Sequence, residues 1–150
     1  MDDAFLDAWF FGFAEGIESL SAPARTVLLS ACARRCAETG PLARYRALFL
    51  ETGGDPDAFF PALDRLDDAR GAVVEPGREY EVRFPRCGCD LVTRGYVHTP
   101  RLCECSRLSI LHALGTLWPG ERFRVERLET ILEGAKSCRF RVLRDGAIGA

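Results

Sequence analysis

The sequence predicts an α+β domain in which an N-terminal helical half packs on a small antiparallel sheet. Two observations support this prediction. Apolar residues recur at helical spacing through the first part of the chain, and further on they alternate with charged residues. The 150 residues are enough for one domain with a buried core, and 47% hydrophobic with 28% charged residues is typical of a globular protein. We therefore expect a single domain over residues 1–150.

The helical half is expected over residues 1–70. Ser21 is the predicted cap of a second helix, which ends at Gly40-Pro41; a third ends at Gly53-Gly54, and Asp55-Pro56 begins a fourth. The first helix carries a strongly apolar stripe at helical spacing, which we interpret as core packing. Its members are Leu6, Trp9, Phe10, Phe13, Ile17 and Leu20.

The C-terminal half, residues 71–145, is predicted to run strand–helix–strand–strand. A strand over 80–84 precedes a helix that Ser106 caps, and the next strand begins near Phe123 and slips in phase near Arg127-Leu128, as at a bulge. The last strand covers 138–142 and makes an antiparallel hairpin with the one before it. Residues 146–150 are expected to form a tail.

Seven cysteines are the main chemical signal, and four of them form two Cys-x-Cys pairs sixteen positions apart, Cys87-Gly88-Cys89 and Cys103-Glu104-Cys105. The start, Met1-Asp2-Asp3, lacks the basic residues of a secretory signal, and no apolar run is long enough to span a bilayer. We therefore expect a cytoplasmic protein, in which stable disulfides are rare. The odd cysteine count also favours metal binding or catalysis over a disulfide framework.

A thiolate metal centre is the first interpretation of these cysteines. Four thiolates suit Zn²⁺ best and an iron–sulfur cluster second, and the predicted ligands are Cys87, Cys89, Cys103 and Cys105. Cys32 and Cys36 are further candidate ligands, because their i, i+4 spacing places both on one face of a helix. The alternative for this helical pair is that both are small core residues in line with Leu28.

A reactive thiol is the second interpretation. Cys105, and next Cys103, lies at a predicted helix start, where the pKa of a thiol should be lowered. His98 would then serve as the base and Asp90 would orient it, which describes a thiol-dependent hydrolase; the small heterocyclic or amide substrate expected for it is what the resemblance given below implies. A third interpretation is a protein-interaction or oligomerisation module that uses the aromatic stripe of the first helix. The net charge of −2 favours neither nucleic acid nor an anionic membrane as a partner.

Four segments carry a resemblance to a known group. They are Cys87-Gly88-Cys89, Leu102-Cys103-Glu104-Cys105-Ser106-Arg107, Glu129-Thr130-Ile131-Leu132-Glu133-Gly134 and Cys138-Arg139-Phe140-Arg141-Val142. Together they resemble a bacterial group of cysteine-rich small domains that includes L-2-amino-thiazoline-4-carboxylic acid hydrolase-like proteins. The closing Gly-x3-Cys-x-Phe segment is more distantly similar to the end of the 4-vinyl reductase domain. One departure is Leu108-Ser109, where relatives often have Gly-Trp.

The resemblance implies a compact domain with a small-molecule pocket between helices and sheet, and cysteines that hold zinc. The leading expectation from the sequence is therefore a cysteine-rich domain that binds a small-molecule ligand and a metal. The hydrolase and the interaction module, which includes a homo-oligomer, are its alternatives. Whether the chain is an enzyme stays open at this point.

Overall fold

The computed structural model of the protein describes residues 3–145, and the predicted tail at 146–150 lies outside them. The N-terminal half is helical, as predicted. Its four helices, followed by a 3₁₀ turn, are α1 (Asp3–Ser19), α2 (Ala22–Glu38), α3 (Pro41–Glu51), α4 (Pro56–Ala62) and the turn Leu63–Arg65. The Ser21 hydroxyl accepts a hydrogen bond from the Ala24 amide, which confirms the predicted cap of α2.

The C-terminal half contains a four-stranded antiparallel sheet, in agreement with the predicted α+β class. The strand order is β1-β2-β4-β3. The elements in chain order are β1 (Arg70–Glu75), β2 (Glu79–Phe84), α5 (Asp90–Thr93), a 3₁₀ turn Pro100–Cys103, α6 (Glu104–Leu117), β3 (Arg122–Glu129), a 3₁₀ turn Ile131–Glu133 and β4 (Cys138–Asp145).

Both outer strands of the sheet are irregular. The register of β1 against β2 shifts between Val73 and Glu75, and the register of β3 against β4 shifts between Arg127 and Glu129. The second shift confirms the bulge predicted near Arg127-Leu128. The central pair, β2 and β4, runs in continuous register. The sheet is therefore regular in its middle and kinked at both edges.

One face of the sheet and the helices α3, α4 and α6 enclose the main core. Phe60 and Tyr80 stack there with ring centroids 4.2 Å apart, and Phe140 and Val142 of β4 are fully buried beside them. A second, smaller core lies between α2, α6 and the loop that precedes α6. Its buried members are Ile17, Leu29, Ala33, Val97, Leu102 and Leu108.

The approach of α4 to β1 is close enough to require glycine. A Cβ placed at Gly71 would lie 2.0 Å from the carbonyl oxygen of Phe60, far inside contact distance. The Gly71 amide donates to the Asp64 carboxylate at 3.0 Å, which fixes the strand against the preceding turn. No side chain can enter this position unless the backbone moves.

The other face of the sheet carries ion pairs across neighbouring strands. The Arg139 guanidinium donates to both carboxylate oxygens of Glu81, at 2.9 and 3.0 Å, and to Glu129 at 3.4 Å. Arg141 pairs with Glu79 and Glu126 in the same way. These pairs explain the alternation of charged with apolar residues in the strands.

Three features of the fold differ from the sequence-based expectation. The sequence analysis missed β1, because the apolar run Val73-Val74 is too short to show alternation. The interpretation of the α1 stripe as core agrees with Ile17, which is buried, and with Phe10 and Phe13, which pack against the second core, but it is wrong for Trp9, which is 56% exposed. The start of α6 is also earlier than predicted, at Glu104, with Cys103 rather than Ser106 at the cap position.

Candidate functional site: the cysteine groups and the aromatic face

All seven cysteines are free thiols. Cys87 and Cys89 lie between β2 and α5, Cys103 closes the 3₁₀ turn before α6, and Cys105 is in the first turn of α6. Cys32 and Cys36 lie on α2 and are exposed, whereas the other five are half-buried. The interpretation of Cys32 and Cys36 as core residues is therefore wrong.

The structure divides each Cys-x-Cys pair between two separate groups. The first group, which we call the helix group, consists of Cys32, Cys36, Cys89 and Cys105. Cys89 and Cys105 pack against the core that includes Leu29 and Ala33 of α2. Burial raises the pKa of Cys105, and negative charge on Cys36, Cys32, Cys89 and, least, Cys103 of the other group raises it further. An ion pair between His112 Nε2 and Glu38 Oε1, 3.3 Å apart, joins α6 to α2 further along.

The second group, which we call the strand group, consists of Cys87, Cys103 and Cys138. The Ile131 amide donates to Cys138 Sγ at 3.4 Å, and Thr130, the residue before Ile131, donates to Glu133 at 2.9 Å and lies close enough to Cys103 to lower its pKa against the larger effect of burial. Charge on Cys87 raises the pKa of both Cys103 and Cys138. Cys138 points inward from β4 and packs against the main core.

Burial, and not the helix N-terminus, dominates the acidity of the candidate nucleophiles. Desolvation raises the pKa of Cys105 to about 12, and neighbouring thiols raise it further in the same direction. Desolvation also raises the pKa of Cys103, against the smaller lowering effects of Thr130 and Arg127. The sequence predicted the opposite direction for both thiols. Their thiolate forms are therefore scarce at neutral pH.

The predicted base does not join the thiols in a hydrogen-bonded triad. His98 is exposed in the loop before the 3₁₀ turn, and the Asp90 carboxylate pairs at 4.0 Å with Arg94. Among residues 3–145, no hydrogen bond links Cys105, His98 and Asp90. The catalytic roles of Cys105, Cys103 and His98 stay predictions.

Two findings contradict the expectation that the protein is metal-binding, zinc-containing and hydrolase-like. Within the part of the chain that the structure describes, no three Cys, His, Asp or Glu side chains are grouped to hold a metal ion. The physical reason is the division of each Cys-x-Cys pair, which prevents Cys87, Cys89, Cys103 and Cys105 from converging. The second finding is the structural likeness reported below. Zinc and iron–sulfur clusters as cofactors are not tested by either finding.

Three aromatic side chains of α1 are exposed. Phe5, Trp9 and Phe11 are 64%, 56% and 69% exposed, and Trp9 stacks on Phe13 with ring centroids 5.9 Å apart. Phe10 faces the chain and meets Tyr96 at 5.4 Å. We call the side of α1 that carries Phe5 and Trp9, one turn apart, the aromatic face; Phe11, two positions beyond Trp9, lies on another side of the helix. Over the residues described, no helix combines the length and apolar character needed to cross a membrane.

Arg25 holds α1 to the rest of the molecule. This buried side chain of α2 donates from Nε to the Ile17 carbonyl and from Nη2 to the Leu20 carbonyl, both at 2.9 Å. The last carbonyls of a helix have no partner within the helix, and the helix dipole favours a cation there. The sequence analysis did not single out Arg25, because one arginine in a helix carries no local signal of burial.

Comparison with known proteins shows a likeness of fold and no match to a known protein family. No protein-family model matches the chain, and no curated protein matches it. Among solved structures, the fold is similar to a subunit of a trafficking complex. The particular structure is that of trafficking protein particle complex subunit 3 from Naegleria fowleri, covalently bound to palmitic acid, with a TM-score of 0.57 and 10% sequence identity. The match covers 97% of this chain and 98% of that one. The resemblance to the thiazoline hydrolase-like and 4-vinyl reductase groups is not tested by this likeness and stays a prediction.

Proposed function

We propose that this chain is a protein-interaction module that pairs with a second copy of itself through the aromatic face of α1. The observation that carries the proposal is the exposure of Phe5 and Trp9 on one side of α1. Aromatic residues are enriched at the centres of protein interfaces and are costly to leave in water. The structural neighbour, a subunit of a trafficking protein particle complex, has a similar fold and supports the proposal.

The size of the aromatic face fits part of a standard interface. If one aromatic side chain offers about 200 Å², the exposed fractions of Phe5 and Trp9 give roughly 240 Å² per chain. A stable interface buries about 800 Å² on each partner, so a second, larger surface must take part. Val27 and Leu28 on the neighbouring helix α2 are also exposed and supply further apolar area.

Charge complementarity points to a second copy as the partner. α1 contains the acidic residues Asp3, Asp7, Glu15 and Glu18 and no lysine or arginine. The exposed side of α2 carries Arg34 and Arg35 next to Val27 and Leu28. If two α1 helices packed directly on each other, their carboxylates would repel. A two-fold arrangement that places α1 of each copy on α2 of the other brings opposite charges together twice.

Two glycines in α1 make close approach possible. Gly12 and Gly16 follow Trp9 toward the C-terminal end of the helix, and a Cβ at either position would have no neighbouring atom within 4 Å. Glycine inside a helix costs about 1 kcal/mol relative to alanine, and no contact among residues 3–145 requires glycine at these two positions. Contact between the α1 backbone and a partner helix would explain it.

A small-molecule ligand is less well supported than a partner chain. The apolar space between Tyr45, Phe59 and Ile110 in the main core has a volume of about 20 Å³. A cavity of roughly 150 Å³ is needed to hold benzene, so this space cannot receive an acyl chain without large movement. We therefore do not extend the palmitic acid of the neighbour to this protein. A cytoplasmic location, as the sequence predicts, agrees with seven free thiols.

Analytical ultracentrifugation over a wide concentration range tests the proposal. We expect the wild-type chain to form a dimer, and we expect Trp9→Ser with Phe5→Ser to weaken dimerisation at least a hundredfold. Leu50→Ser is the matched control, because Leu50 is 72% exposed on α3, away from the aromatic face, and should leave the dimer intact. A wild-type chain that stays monomeric at every concentration contradicts the proposal.

Charge reversal tests the proposed pairing of α1 with α2. Arg34→Glu combined with Arg35→Glu should weaken the dimer, and adding Asp7→Lys with Glu15→Lys should restore it, because opposite charges again face each other. If the four-fold variant is weaker than the double variant, the two helices do not pair in this way. Circular dichroism of each variant separates loss of association from loss of folding.

A further inference from the structure

We propose that a polar groove beside Arg70 and Arg83, where β1 pairs with β2, binds the phosphate group of a small phosphorylated molecule. The proposal does not depend on dimerisation, because the groove lies on the sheet and not on α1. Two observations carry it: a row of like charges that the strand register fixes, and a groove that two of these charges line.

The strand register places three arginines side by side. Arg70 of β1 is directly opposite Arg83 of β2, and Arg83 is in turn directly opposite Arg139 of β4. Directly opposite residues lie on the same face of a sheet with Cβ atoms about 4.5–5.5 Å apart, and like charges there destabilise the sheet. A row of three positive charges therefore favours negative charge beside it.

The carboxylates of the protein pair with only one end of this row. Arg139 donates to both carboxylate oxygens of Glu81 and also to Glu129. The hydrogen bonds from Arg139, and to a smaller extent the charge of Arg83, hold the pKa of Glu81 below its usual value. Arg83 is exposed, and among residues 3–145 it makes no hydrogen bond and no close ion pair. Its guanidinium is therefore available to an external anion.

Arg70 is held by one of its nitrogen atoms. Its Nη1 donates to the Leu66 and Ala69 carbonyls, at 2.8 and 2.6 Å. Within the described part of the chain, its Nε and Nη2 donate to no other group. The side chain is thus fixed in place, while two of its donor nitrogens remain for a ligand.

The groove has the size and the donors for a phosphate group. Its volume is about 140 Å³, and it is lined by Asp64, Arg70, Gly71, Ala72, Glu81 and Arg83. Both carboxylates in it already have partners, because Glu81 accepts from Arg139 and Asp64 accepts from the Gly71 amide at 3.0 Å. A phosphate monoester carries a charge of about −1.5 to −2 at pH 7, which matches two arginines, and a guanidinium can donate two parallel bonds to its oxygens. A monoanionic carboxylate matches only one of the two charges.

A ¹H–¹⁵N chemical-shift titration of the full chain with inorganic phosphate and with glycerol 3-phosphate tests the site. At an ionic strength of about 20 mM, where screening is weak, we expect saturable shifts at the Gly71, Ala72 and Arg83 amides with a Kd of about 0.1–1 mM. Acetate, a monoanion, should bind at least about tenfold more weakly. A wild-type chain that shows no saturable shift with either phosphate overturns the proposal.

Arg83→Gln should weaken phosphate binding by at least about tenfold, because it removes one of the two charges that line the groove. Arg122→Gln is the matched control: Arg122 is an exposed arginine of β3, at the other edge of the sheet, and makes no ion pair among the described residues. It should leave binding unchanged. Equal binding by Arg83→Gln and the wild type, or equal weakening by both variants, would show general attraction to surface charge and would overturn the site.

The melting temperature shows whether Arg83 serves a ligand or the fold. Without phosphate, Arg83→Gln should melt at the same temperature as the wild type or higher, because the change removes a like charge from the row. Phosphate at constant ionic strength should raise the melting temperature of the wild type and not that of the variant. An unliganded variant that melts below the wild type would assign Arg83 to stabilising the sheet and would contradict the proposal.

Vesicles distinguish a small phosphorylated molecule from a lipid headgroup. We expect the wild-type chain to respond to soluble phosphate and not to sediment with vesicles of phosphatidylcholine and phosphatidic acid. Sedimentation with these vesicles and no response to soluble phosphate would overturn the assignment to a small molecule.

Discussion

Removal of the Arg25 side chain is the sharpest test of how α1 is held in place. Arg25 is the buried cation that donates to the Ile17 and Leu20 carbonyls at the end of α1. A hydrogen bond from a charged donor contributes about 1.5–3 kcal/mol, so the two bonds together contribute roughly 3–6 kcal/mol. In the variant, water can reach part of the exposed helix end and replace some of the lost hydrogen bonding, which lowers the net cost. We therefore expect Arg25→Ala to lower the free energy of unfolding by about 2–4 kcal/mol.

Two further variants divide this effect into its parts. Arg25→Lys keeps the charge near the C-terminus of α1 but cannot bond both carbonyls with one planar group, so we expect a loss of about 1–2 kcal/mol. Arg35→Ala is the control on the same helix; the Arg35 side chain is 83% exposed, and its removal should change stability by less than about 0.5 kcal/mol.

Urea denaturation measures the free energy of unfolding, and hydrogen exchange of the α1 amides shows whether the helix detaches locally. We expect the α1 amides to exchange faster in Arg25→Ala, while the amides of β2 and β4 change only by the global loss. An Arg25→Ala chain that loses less than about 1 kcal/mol and retains its α1 protection would refute the reasoning. In that case the aromatic helix would be held by packing of Ile17 and not by its carbonyls.

Three other predictions follow from single contacts. Gly71→Ala should destabilise the chain by more than about 3 kcal/mol in urea denaturation, because its Cβ meets a backbone carbonyl at 2.0 Å; Gly115→Ala, which has open space on α6, should not destabilise it. The Tyr80 hydroxyl donates to Asp57 at 2.6 Å and holds the pKa of that carboxyl below its usual value. The contribution of ionised Asp57 to the free energy of unfolding is therefore complete above about pH 5 and is lost as the pH falls below 4. When the free energy of unfolding is measured against pH, Tyr80→Phe should lose less stability than the wild type over that range. Cys105 should react with iodoacetamide at pH 7.5 at least tenfold more slowly than a free cysteine, because its pKa is raised to about 12; rapid labelling below neutral pH would restore the nucleophile interpretation.

Features that depend on local chemistry could be predicted from the sequence. Ser21 before a proline-containing first turn identified the start of α2, and the phase slip at Arg127-Leu128 identified the bulge in β3. Both signals come from a few neighbouring residues. In contrast, β1 exists because it pairs with β2 and packs against α4, and its own six residues show no alternation. A strand that depends on its pairing and packing partners cannot be predicted from its local sequence pattern alone.

The sequence shows which cysteines are present but does not show which of them lie together in the fold. The sequence identifies the thiols, but their two-residue spacing does not determine where they point. An α-helix turns by 100° per residue, so positions two apart at its start face nearly opposite directions. Cys103 therefore meets the residues before β4, while Cys105 meets α2. A spacing that would chelate one ion in an extended chain separates the thiols at a helix start.

The α1 stripe shows a related limit. Helical spacing of apolar residues predicts that one side avoids water, but it does not say whether the covering surface belongs to the same chain. In this protein Ile17 is covered by α2, while Trp9 faces outward. The assumption of an internal partner was correct for Ile17, Phe10 and Phe13 and wrong for Trp9.

The irregular registers of the two outer strands limit how large an assembly of this chain can become. A straight edge strand invites a strand from another molecule, and such addition can repeat without end. Here the shifts at Val73 and Glu75 and at Arg127 and Glu129 bend both edges, and charged side chains line them. Growth through the sheet into fibres is therefore disfavoured on both sides. Association is directed to the helices, where a two-fold contact closes on itself and ends at a pair.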